Sequence, residues 1–139
     1  HSGGALKDDQ NVKNAKRTVI KFINAFNIDI DPIEVSRIIE ATEYPYVIEP
    51  EDMDLKQQII RDADLLQSLE PNWIQQIIMG LSEEMNIPME TMISGQRKFL
   101  MNAQFNTNWG IFWKEQRWKE VKEKLDKLEK LYKAKKIYT

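Results

Sequence analysis

The 139-residue chain reads as an all-α protein, a single domain of about six helices. Three observations predict this. Apolar residues recur at i, i+3, i+4 and i+7 in successive segments, and no convincing strand is found between them. Five glycines and five prolines leave little material for hairpins. Hydrophobic residues at 42%, with 9% aromatics, are enough to fill one core, and neither a repeat nor a low-complexity linker divides the chain.

The first helix follows Asp9 and ends at Asn27, with Val12, Ala15, Val19, Phe22, Ile23 and Phe26 as its apolar stripe. The second has the best-marked start in the chain. Asp31 is the N-cap, Pro32 takes the first helical position, and Glu34 is spaced to complete a capping box. It carries Val35, Ile38 and Ile39 and ends near Ala41-Thr42, because Pro45 and Pro50 frame the loop Tyr44–Pro50. The third covers Glu51 to Gln67, with acidic residues in its first turn, where the helix dipole favours them. Met53, Leu55, Ile59, Ile60, Ala63, Leu65, Leu66 and Leu69 surround it, the pattern of a central core helix.

The fourth helix opens at Pro71 with Trp73, Ile74, Ile77, Ile78 and Leu81, and the fifth opens near Pro88. The sixth is long and amphipathic, running from Trp109 into the 130s. Ile111, Trp118, Val121, Leu125, Leu128 and Tyr132 form a heptad-like seam, and Trp109, Phe112, Trp113 and Trp118 are expected to anchor its first half. Glu–Lys and Asp–Lys pairs at i, i+4, from Glu115–Lys119 to Glu129–Lys133, support it. Its second half either rests on its own domain or pairs with a partner, which would be a second copy or an upstream segment of the same protein.

Charge is unevenly spread. Residues 1–113 hold 10 Lys and Arg against 17 Asp and Glu, whereas 114–139 hold 10 against 5. An acidic body argues against broad nucleic-acid binding and leaves the basic tail 114–139 as a contact surface. No apolar run has the length of a membrane span, so no membrane partner is expected. The absence of cysteine excludes a disulfide scaffold and thiolate zinc sites, and it suits a cytoplasmic protein. One histidine, His1, excludes a His-rich metal site and His-based acid–base catalysis within the body. Gly-rich phosphate loops, dinucleotide fingerprints and Ser-His-Asp sets are missing.

The stretch that carries chemistry is Arg61-Asp62-Ala63-Asp64-Leu65-Leu66. Burying a carboxylate is costly unless a cation or hydrogen bonds compensate it. On a helical wheel Asp62 falls on the densest apolar arc, and Asp64 falls near Ile60 on the opposite flank. Either they cap neighbouring helix ends or pair with Arg61, Arg37 or a lysine, or they belong to a site. Tyr44, in its proline-framed loop, either fixes a turn or stacks on a nucleobase or sugar. Arg97, beside Gln96 and Lys98, either lies on a solvated face or meets a phosphate as a bidentate donor.

Asp62-Ala63-Asp64-Leu65-Leu66, placed after Ile38-Ile39-Glu40-Ala41-Thr42-Glu43-Tyr44, resembles the second half of an HD-domain phosphohydrolase. Gln96-Arg97-Lys98-Phe99-Leu100 and Phe105-Asn106-Thr107 resemble the closing helices of such proteins. The family is all-α and holds a divalent metal with an H…HD…D ligand set. The resemblance implies phosphoester hydrolysis, with Asp64 as metal ligand, Asp62 as its neighbour in the catalytic centre, and a phosphorylated small molecule or nucleotide as substrate. His1-Ser2-Gly3-Gly4 stands where the His-Asp pair would lie, which makes His1 the second candidate ligand, with serine replacing the aspartate. The family's first histidine would lie upstream of residue 1, and Tyr44 stands where many relatives carry a histidine. The expectation is therefore a fragment or a degenerate member, lacking the N-terminal helices of the full domain and holding no metal tightly. The rival expectation is a non-catalytic interaction module that uses the C-terminal amphipathic helix.

Overall fold

The computed structural model describes residues 5–72 and 74–137. Every regular element among them is helical: α1 (Ala5–Ala25), α2 (Pro32–Glu40), a 3₁₀ turn (Pro50–Asp52), α3 (Leu55–Gln67), α4 (Ile74–Met85), α5 (Met89–Asn102) and α6 (Asn108–Ile137). Trp73, placed at the start of the fourth helix by its sequence, lies outside the described residues. No described helix is long and apolar enough to cross a membrane. The chain divides into two compact units, one up to Asp64 and one from Leu65, with the division inside α3.

In the first unit α1 packs against α2. Asn27 adopts φ 49°, a left-handed conformation that asparagine tolerates, and the Ile28 amide bonds back to the Ile23 carbonyl at 3.0 Å. That pairing ends α1 with a Schellman motif. α4 ends in the same way: Asn86 has φ 53° and the Ile87 amide reaches the Ser82 carbonyl at 3.1 Å. The buried stripe of α1 differs from the one expected. Asp8, Val12 and Ile23 are inside, while Phe22 and Phe26 are exposed and pack on each other at 4.7 Å. The helix is turned toward Lys16, whose ammonium bonds to Glu40 of α2 at 2.5 Å.

α2 begins as its sequence requires, with the Asp31 carboxylate accepting from the Ile33 amide at 3.0 Å and Pro32 following. The capping box expected of Glu34 does not form. Its carboxylate is taken by Arg37 at 2.7 Å and by Lys56 at 3.4 Å. A capping box forms at α3 instead, where the Gln57 amide donates to Asp54 at 2.9 Å and the Asp54 amide donates to Gln57 Oε1 at 3.2 Å. This explains why α3 starts at Leu55 and not at Glu51: residues 50–52 close a 3₁₀ turn first, and Asp54 caps the helix.

α3 follows the expected pattern only in part: Leu65 and Leu66 are buried, but its first half is not as expected. Gln57, Arg61 and Asp62 are buried beside Met53, whereas Leu55, Ile59 and Ile60 are exposed. Apolar composition around the whole helix hides this polarity, because the side that turns inward carries the three polar groups.

In the second unit α4, α5 and α6 pack pairwise. Their core joins Leu66 and Leu69 to Ile74, Ile78, Ile93, Leu100, Val121 and Leu125, with Met89, Met92, Phe99, Phe105, Trp118 and Leu128 around it. The expected seam of α6 is inside at Val121 and Leu125 and half-buried at Trp118, Leu128 and Tyr132, but Ile111 is exposed. Trp109, Phe112 and Trp113 are exposed as well, so they do not anchor the first half. Gly110 takes the inward position there, and Lys114 caps the end of α5 by donating to the Ala103 carbonyl at 2.6 Å. The inward row of α6 is thus Gly110, Lys114 and Arg117 before Val121 continues it.

Candidate functional site

The candidate site lies in the first unit, where α1, the α2–α3 loop and α3 bring their polar side chains together. Asp62 is fully buried at 0% exposure, as its position on the densest arc predicts. Asp64, two residues on, is half-buried. Desolvation raises its pKa from the ordinary carboxylate value, the positive charge of the amino terminus opposes this, and the negative charge of Asp8 adds to it. No described cation or hydrogen-bond donor pairs with Asp64.

Asp8 was not a candidate in the sequence. It is 3% exposed, and its Oδ2 accepts the backbone amide of Tyr44. Its signal was its spacing of four residues before Val12, which places it on the inward stripe of α1. With the helix started after Asp9, Asp8 falls outside it, whereas α1 in fact begins at Ala5 and carries Asp8 on that stripe.

Arg61 is the largest fully buried side chain among the described residues, 1% exposed. Its Nε donates to the Ala41 carbonyl at 2.7 Å and one Nη to the Ile48 carbonyl at 2.8 Å. The guanidinium also lies over the Tyr46 ring, 3.9 Å from its centroid, an arrangement in which a desolvated cation gains from the ring's negative face. Burial lowers the Arg61 pKa, while Tyr46, Glu49 and Asp62 act against that. Arg61 was one of the alternative partners that the sequence offered for the carboxylates. Its hydrogen bonds go to the two carbonyls, and Asp62 adds only its nearby charge.

The loop 44–50 is therefore held from two sides, by Asp8 of α1 at its start and by Arg61 of α3 further along. Tyr44 and Tyr46 meet edge to face at 5.4 Å. The Tyr46 hydroxyl is pushed up to about 12, first by burial and further by the charges of Asp64, Tyr44 and Asp62, against the opposing pull of Arg61. Tyr44 remains 41% exposed, so its ring borders the surface beside this carboxylate cluster.

The sequence candidates thus separate. Asp62, Asp64 and Tyr44 belong to one unit, and Asp8, Arg61 and Tyr46 join them. Arg97 belongs to the second unit, where its guanidinium bridges Asp126 at 2.8 Å and Glu129 at 3.0 Å of α6. Those two bonds account for its charge by tying α5 to α6. His1 lies outside the described residues. Among the described residues no three His, Cys, Asp or Glu side chains converge as a metal-binding group. No family model, curated protein or solved structure matches the chain.

Proposed function

We propose that the chain is an HD-type helical domain, the C-terminal portion of a metal-dependent phosphohydrolase that acts on a phosphoester, with an incomplete ligand set. The observation that carries this reading is Asp64, a half-buried carboxylate with a raised pKa, two residues beyond a fully buried one on the same helix. Structural carboxylates in such places are usually matched by a cation or a row of donors. Among the described residues Asp64 has neither. On this reading Tyr44, which is exposed, borders a phosphorylated small molecule or a nucleotide.

A divalent metal, where bound, supplies a Lewis acid for the phosphoryl oxygen and lowers the pKa of a bound water. The described residues do not fit such an ion by themselves. Hard cations of this kind take six or more oxygen ligands, several of them anionic. Here Asp64 has only Asp8 as a neighbouring carboxylate outside its own helix, and one oxygen of Asp8 already accepts the Tyr44 amide. No chemical step is therefore routed through a metal. Calorimetric titration of Mn²⁺ or Ni²⁺ into this chain is expected to show nothing tighter than roughly 0.1 mM, about 5–6 kcal/mol of binding. Micromolar binding would reveal further ligands.

The decisive variant is Asp64→Asn, which keeps the shape of the side chain and removes its charge. A carboxyl whose folded pKa is raised binds protons more readily in the folded state than in the unfolded one. Its ionisation therefore costs stability as pH rises through the interval between the two values, and the cost persists above that interval. Asp64→Asn is expected to be neutral or stabilising in urea denaturation at pH 7, with the difference shrinking as pH falls toward the unfolded value near 4. In protein expressed from the complete reading frame, the same substitution is expected to abolish Mn²⁺-supported hydrolysis of bis(p-nitrophenyl) phosphate. An undiminished rate would sink the phosphohydrolase reading. A loss of more than about 2 kcal/mol in stability would make Asp64 a structural ion pair or cap.

A second reading, a non-catalytic interaction module, is favoured by one observation on α6. Trp109, Ile111, Phe112 and Trp113 are all exposed within its first two turns, and exposed apolar clusters often mark contact surfaces. If that reading holds by self-association, sedimentation equilibrium at about 100 μM should give a mass above 16.4 kDa. The double variant Trp109→Ser, Phe112→Ser should return it to the monomer value. A monomer at that concentration, unchanged in the variant, would remove self-association through α6.

A further inference from the structure

We draw no further inference here: the strongest candidate, the apolar surface of Phe22, Phe26, Ile30 and Ile33 left exposed around the turn between α1 and α2, is an unpartnered face, and nothing in the structure shows what covers it.

Discussion

Arg61→Ala is expected to destabilise the protein by about 3 kcal/mol or more, the largest effect of any single substitution considered for the first unit. Three losses combine. The Ala41 carbonyl, on a residue with no exposure, loses its 2.7 Å donor, and the Ile48 carbonyl loses its 2.8 Å donor. An unsatisfied buried acceptor costs about 1–3 kcal/mol. The Tyr46 ring loses the cation stacked on it, and the space vacated by the side chain adds a cavity cost. Urea denaturation should show a lower midpoint at unchanged slope. Arg61→Lys should recover only part of the loss, because one ammonium cannot reproduce a planar fork that reaches two carbonyls and a ring. A loss below about 1 kcal/mol for Arg61→Ala would mean that the loop is held by other contacts.

Asp62→Ala is expected to cost about 1–3 kcal/mol. Asp62 has no exposed surface, and groups buried to that extent are normally bonded, so truncation strands the groups that face it. Its charge also stabilises the Arg61 guanidinium, which burial otherwise disfavours. The two substitutions should therefore be non-additive, with the double variant losing less than the sum of the single ones. Additive losses would separate Asp62 from Arg61 energetically, and a neutral Asp62→Ala would show that nothing depends on the carboxylate.

The burial of Asp62 was legible in the sequence from its place between Leu55 and Leu69 on the wheel, although of those two only Leu69 is buried. Helix starts at Asp31-Pro32 and Pro88-Met89 were legible for the same local reasons, since a cap and a proline act within one turn. The inward side of α3 was not. Leu55, Ile59 and Ile60 are apolar, and residue type alone assigns them to the core. What overrides it is a set of long-range partners, the carbonyls of Ala41 and Ile48, that no spacing rule encodes. The same holds for α6, where Trp109, Phe112 and Trp113 look like anchors until Gly110 is found on the inward side. For the site, Asp62, Asp64 and Tyr44 could be picked out by residue type and context. Asp8 could not, because its membership depends on Tyr44 arriving from 36 residues away.

The clamped loop has a consequence for how this part of the chain can vary in length. Connecting segments usually accept insertions and deletions, since their backbone groups face water and have no fixed partner. Between α2 and α3 the Tyr44 amide, the Ala41 carbonyl and the Ile48 carbonyl are each spoken for by a side chain from another helix. One residue added or removed between positions 41 and 48 would shift one end of that segment out of register with Asp8 or Arg61. This segment therefore behaves as a spacer of set length, and tolerance to insertion is better sought at the turn around Asp29 and Ile30, where both residues are exposed.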